Sequence, residues 1–466
     1  MATNGWNNCP ADILYLILKE VSTPEHRTLC LVSKAFHSFT EPLLYSAIGL
    51  TFDREDPDRL PPFILLLRTL LTRPHLAAYI TALRLNGNTC LFNWNKYRWT
   101  LPKVPVSDDF LDEPIAFVQG AKVPYSHFWI HELSQGSIDA WVALLLAQLP
   151  NLKSLYIAHV FARQSTLVGM VLRSAILEPR SQHLPDFRRL QHVSFIRLQG
   201  RDEACSRTAR NTLNLLPLLY LPCGQRMTLA IQNPKEWIWP AAALSPPRPS
   251  KLTSLDLRII REGCLGEVLA VTPNLQSLHW EWYYDEDVQD WIVKQTVDLD
   301  KIAAELSLVQ GSLTHLTITA EIGSGVLRPA IKTRGSLHAM VSFDMLKTLH
   351  IPWAFLVGFA QDPTKRLQDS IPRNIERLTL TDDLALQNDD EVEPDWPCWE
   401  WEDHVMVDLI QAWLVEWRTC TPCLRGVSLI LSYIDTDRGQ WLPEMRDRLV
   451  GLGSEAGVRV ELVEVG

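Results

Sequence analysis

Nine times along the chain an apolar residue is followed by two more, three and five positions later, with mostly polar residues between them. The segments are Ile80-Leu83-Leu85, Leu152-Leu155-Ile157, Leu190-Val193-Phe195, Leu252-Leu255-Leu257 and Leu275-Leu278-Trp280. They continue as Leu313-Leu316-Ile318, Leu346-Leu349-Ile351, Ile375-Leu378-Leu380 and Leu424-Val427-Leu429. Chance gives roughly two or three such matches in a chain of this composition. The closing alternation predicts a short strand with one buried face. Between the strands, amphipathic stretches predict helices. Ile138 to Leu149 stops at Pro150-Asn151, Gly266 to Val271 at Pro273-Asn274, and Leu299 to Val309 at Gly311-Ser312. Proline and glycine are the expected stops. A single strand and helix cannot bury their apolar faces alone, so neighbouring units must stack.

The first fifty residues follow a different, helical pattern. Pro10 suits a first turn, where its missing N–H is not needed, and Asp12 sits where the helix dipole favours a negative charge. Ile13, Leu14, Leu16, Ile17, Leu18 and Val21 are too many apolar residues for one stripe, so they cover both an internal core and an exterior contact. A second helix is predicted from about Glu25 to Ser33, with Leu29, Leu31 and Val32 apolar, and a third from about Lys34 to Glu41. So much apolar surface in fifty residues needs a partner or the rest of the chain.

In order, Cys9-Pro10, Ile13-Leu14, Leu29 to Phe36 (Leu-Cys-Leu-Val-Ser-Lys-Ala-Phe) and Glu41-Pro42-Leu43-Leu44-Tyr45 resemble the F-box. That module docks substrate receptors onto the Skp-type adaptor of a cullin ubiquitin ligase. The resemblance implies that Pro10, Ile13, Leu14, Leu31, Val32 and Phe36 contribute most to the adaptor contact. Cys9 departs from the leucine usual in the family. Helix, stop, then Leu-x-x-Leu-x-Leu resembles the leucine-rich repeat, and the chain as a whole is similar to fungal F-box proteins with such repeats. The implied fold is α/β: a three-helix F-box over 1–50, then over 51–466 an irregular solenoid, a curved parallel sheet with helices on its convex side. The repeats depart from the usual form. From Leu255 onward their central apolar residues are 23, 38, 33, 29 and 49 positions apart, and Val160 and Ile260 stand where an asparagine or cysteine is usual.

Three insertions are expected. Residues 93–127 read as a long loop, and those near 240–250 (Ser245-Pro246-Pro247-Arg248-Pro249) as a turn-rich or extended linker. Residues 385–403 mix carboxylates with Trp396, Trp399 and Trp401. Clustered tryptophans are not easily left in water, so they pack against the repeat or meet a partner.

The repeat reading nominates a surface. The residue between the last two apolar positions of each strand points to the concave side, giving Arg84, Tyr156, Ser194, Asp256, His279, Thr317, His350, Thr379 and Ser428. Two positions on, Ala158, Arg258, Glu281, Thr319 and Thr381 extend the row. Tyr156, Asp256, Arg258, His279, Glu281, Tyr283 and His350 are the candidate residues for binding a protein target. His279, Glu281 and Tyr283 are expected to be exposed there. Trp280 and Trp282 either fill the core or join that surface.

Composition narrows the classes. Hydrophobic residues at 47% and charged ones at 21% of 466 residues predict a folded chain with a substantial core. A net charge of −10 argues against a general nucleic-acid binder, and no apolar run approaches a membrane span. Nine scattered cysteines fit a reducing compartment, so the expected location is cytoplasmic or nuclear. Cys420-Thr421-Pro422-Cys423 is the only close pair, with no second pair to complete a metal site, so no metal or cofactor is expected. The chain has no nucleophile elbow, phosphate loop or His-Glu-x-x-His. The resemblance therefore implies a non-catalytic substrate-recognition subunit, with the Skp-type adaptor, the cullin scaffold and an unidentified protein target as partners. Two other readings stand beside it: a scaffold or regulator that ubiquitylates nothing, and a repeat protein whose N-terminus only caps the solenoid.

Overall fold

The computed structural model describes residues 9–52, 61–87, 91–93, 98–100, 103–107, 110–158, 161, 165–177, 183–195, 215–231, 233, 251–284, 294–322, 331–385, 398–431 and 441–464. The fold class is α/β, and the chain divides into two compact units, Met1–Arg197 and Leu198–Gly466.

The first unit opens with three helices, α1 (Ala11–Lys19), α2 (Thr23–Cys30) and α3 (Lys34–Ser46). Each start has a local cause. Pro10 immediately precedes α1, and Asp12 lies in its first turn. A capping box of Ser22 and Glu25 begins α2, in which the Ser22 N–H donates to Glu25 Oε2 at 2.9 Å. Ser33 Oγ accepts from the Phe36 N–H at the head of α3. Buried His26 on α2 holds α1, its Nε2 lying 2.7 Å from the Leu18 carbonyl.

Four parallel strands follow in the order β1 (Ala47–Thr51), β2 (Ala82–Asn86), β5 (Ser154–Ile157) and β6 (His192–Phe195). A short antiparallel pair, β3 (Leu91–Asn93) and β4 (Arg98–Thr100), falls between β2 and β5 in sequence. Residues 93–127 are not the continuous loop expected: helix Asp112–Gly120 lies wholly within them, and helix Ser126–Ser134 begins there. Buried Val118 and Trp129 anchor the two helices, and the Trp129 indole N–H donates to the Ala140 carbonyl at 3.0 Å. Proline density suggested a loop, but Pro114 sits in a first helical turn, where it is tolerated.

The second unit carries eight parallel strands in the order β7 (Arg226–Ala230), β8 (Ser254–Arg258), β9 (Ser277–Tyr284), β11 (His315–Ile322), β13 (Thr348–Pro352), β14 (Arg377–Thr381), β15 (Gly426–Leu431) and β16 (Arg459–Glu464). A side pair, β10 (Thr296–Asp298) and β12 (Lys332–Arg334), is also parallel. All nine segments of the sequence pattern are strands, and their registers align the pattern residue for residue. Leu255, Leu278, Leu316, Leu349, Leu378 and Val427 stand side by side and are buried. Parallel strands joined through helices bury one face in this way.

A repeated hydrogen-bond step starts successive strands. One carbonyl before a strand accepts the two N–H groups that open the next. Thr253 O takes Gln276 and Ser277, Gln276 O takes Thr314 and His315, Thr314 O takes Lys347 and Thr348, and Lys347 O takes Glu376 and Arg377, all within 3.1 Å. In the first unit Thr81 O does the same for Lys153 and Ser154.

The linker near 240–250 lies outside the described residues, as does Trp396. Trp399 and Trp401 pack against their own unit. The Trp401 indole N–H donates to the Gly358 carbonyl at 2.7 Å, and its ring meets Trp353 edge-on at 5.4 Å. Trp399 meets Phe359 at 6.3 Å.

Candidate functional site

Two surfaces gather the candidate residues, one in each unit. The first lies on α1 to α3. Leu14 and Leu18, four apart on α1, turn inward and are buried. Ile13, Leu16 and Ile17, at the complementary spacing, face water together with Tyr15. Beyond the end of α2, Leu31 is 88% exposed and Val32 61%. Pro10 is exposed and Phe36 half-buried. Of the six residues nominated for adaptor contact, Leu14 is corrected: at 6% exposure it is part of the helical core, because the i, i+4 pair with Leu18 defines the inner stripe. Leu16 and Ile17 belong to the outer surface, and the signal for them was their offset from that pair.

The second surface is the polar row of the second unit. Register places Asp256 beside His279, His279 beside Thr317, Thr317 beside His350, His350 beside Thr379, and Thr379 beside Ser428. The next row sets Arg258 beside Glu281 and Glu281 beside Thr319. Asp256 organises the cluster. Its two oxygens accept from Arg258 Nε at 3.2 Å and Nη2 at 3.3 Å, and its Oδ1 lies 3.5 Å from His279 Nδ1. His279 Nε2 reaches Thr319 Oγ1 at 3.4 Å, and Arg258 Nη1 lies 3.8 Å from Glu281 Oε2. Burial pushes the Asp256 carboxyl up, but the bonds from His279 and Arg258 outweigh it and hold it below the usual range. Burial likewise lowers Arg258, and the carboxylates of Asp256, Glu281 and Glu321 more than reverse that.

Glu281 and Tyr283 are corrections, because both are buried rather than exposed. β9 and β11 pair on from Ser277 and His315 to Tyr284 and Ile322, which sets Glu281 between Arg258 and Thr319 and Tyr283 beside Glu321. Trp280 and Trp282 fill the core. Their indole N–H groups donate to the Ile260 carbonyl at 2.9 Å and to Glu262 Oε2 at 3.2 Å. The same carboxylate binds Arg261, whose guanidinium lies 4.1 Å above the Trp282 ring. Ile259, just before it, has φ 75°, a strained value for a β-branched residue.

In the first unit, register sets Arg84 beside Tyr156 and Tyr156 beside Ser194. The Arg84 guanidinium lies 4.2 Å over the Tyr156 ring, a cation–π contact that half-covers the tyrosine.

Among the described residues, no cluster of three or more His, Cys, Asp or Glu could hold a metal ion, and no helix is long and apolar enough to cross a membrane. No family model matches the chain, and no curated protein matches it.

Proposed function

We propose that the chain is a substrate-recognition subunit of a Skp–cullin–F-box ubiquitin ligase. In this reading α1 to α3 dock on the Skp-type adaptor, and the polar face of the repeat strands holds a protein target. The observation that carries it is the apolar surface of Ile13, Leu16, Ile17, Leu31 and Val32 in water above a packed helical base. Exposed apolar side chains gathered on so short a segment favour a contact role, and their residue order is the one that resembles the F-box. The subunit supplies proximity and orientation, while the thioester chemistry belongs to other subunits.

A pull-down of purified Skp-type adaptor tests this, using the intact chain and a Leu31→Asp, Val32→Asp double variant. Capture by the intact chain alone is the expected result. If neither chain captures adaptor while both are folded, the chain is instead a repeat scaffold.

A further inference from the structure

His350 stands at the centre of the polar row, between Thr317 on β11 and Thr379 on β14. Other members of the row have partners. Asp256 binds Arg258 and His279, His279 reaches Thr319, and Ser428 donates to Glu461 at 2.8 Å. His350 Nε2, by contrast, is buried with no hydrogen-bond partner. A neutral ring tolerates that position at modest cost. The ring as a whole is half-buried, but an imidazolium would put an N–H at Nε2 with neither water nor an acceptor to receive it, which proteins avoid.

We propose that His350 is a proton-sensitive element of this face, keeping it packed at neutral pH and loosening it when the ring is protonated. The surrounding charges are mixed in sign, and among them the charge of His279 acts against protonation of His350. On β9 the facing titratable groups are His279 and Glu281. On β11 they are His315 and Glu321, at opposite ends of the face, and on β14 Arg377, with Asp382 and Asp383 in the turn beyond. None of these forms a hydrogen bond to His350 Nε2. Burial lowers the His350 pKa below its ordinary 6.5, and the charge of His279 lowers it further. The unfolded chain therefore takes up this proton at a higher pH than the folded one. Stability is full above about pH 6.5 and is lost as pH falls from there through the folded value. Each unit of depression is a tenfold loss in the folding equilibrium. If the face is the target-holding surface proposed above, target capture weakens over the same range, but the switch itself does not rest on that reading.

The test uses the full chain. An NMR titration of the His350 ring should give a midpoint below 6.5; a midpoint at or above 6.5 overturns the proposal. Thermal unfolding of the wild type and His350→Gln is then compared at pH 7.5 and pH 5.5. The gap between them should shift in favour of the variant at the lower pH, and an unchanged gap overturns the proposal. Amide exchange in β11, β13 and β14, corrected for intrinsic rates, should quicken at pH 5.5 in the wild type; unchanged protection overturns the loosening. The titration and the exchange need no variant to fold, and none of the readouts involves the adaptor.

Discussion

Leu31 and Leu316 treat water in opposite ways within one chain. Leu31, between α2 and α3, is 88% exposed, whereas Leu316, on β11 between Leu278 and Leu349, has no exposed surface. Burying a leucine side chain stabilises a fold by roughly 1.5–3 kcal/mol. The strands take that contribution at each inward position, and the outer surface of the N-terminal helices forgoes it several times over. The difference teaches where to look for a partner. Apolar side chains left in water are where the proposed adaptor contact is to be sought.

The strongest way to break the buried side of this comparison is Arg261→Ala. It removes the ion pair with Glu262, the bonds to the Lys294 and Thr296 carbonyls and the stacking on Trp282, leaving a buried carboxylate unpaired. We expect a loss of about 3–5 kcal/mol in urea unfolding. Next comes Leu349→Ala, for which a cavity in the strand core should cost about 2–5 kcal/mol. Leu31→Ala is its sharpest control and should change stability by less than about 0.5 kcal/mol. A loss above about 1 kcal/mol there would mean that Leu31 belongs to the fold and that the comparison fails.

A further contrast is one of pH. Asp139 is buried on helix Ile138–Leu146 and accepts the N–H groups of Leu167 at 2.6 Å and Val168 at 3.1 Å, capping helix Thr166–Leu177 from a distance. Burial raises its carboxyl from 3.8 to about 7, against the pull of those two bonds. Between these values the folded chain keeps a proton that the unfolded chain has released. This group's contribution to stability therefore falls as pH climbs through that window and levels off above about 7. Asp139→Asn should flatten that part of the profile of melting temperature against pH. A profile as steep as the wild type's would show that Asp139 titrates normally. The sign is opposite to that proposed for His350, so these two groups oppose each other as pH changes.

Much of this organisation is legible in the residues. Each of the nine apolar segments became a strand, because alternation decides which face of a strand is buried; the register between strands was not legible. Two strands escaped the pattern because glycine holds its first apolar place: Gly224 before Met227 and Leu229 in β7, and Gly457 before Val460 and Leu462 in β16. β1 fits the pattern as Tyr45, Ile48 and Leu50 but reads as the tail of the helical segment. At the candidate site, the strand register sets Asp256, Arg258 and His279 in one bonded cluster, with His350 two strands further on. Glu281 and Tyr283 did not stay open, since their burial depends on how far β9 and β11 run together, a tertiary property that no local period reports. Leu14 was misassigned because six apolar residues on one helix do not say which pair faces inward until the rest of the bundle is in place.

The shared carbonyl at the start of each strand bears on how such a chain can grow. From β8 to β15 each new strand of the second unit's sheet is fastened at its first two amides to the one before, so its alignment is set there whatever the length of the connection that led to it. Connections can then gain or lose residues over evolutionary time without the error being passed down the line. The uneven intervals of 23, 38, 33, 29 and 49 residues between central apolar positions are what such an arrangement permits, and the connections are where added segments would disturb the rest least.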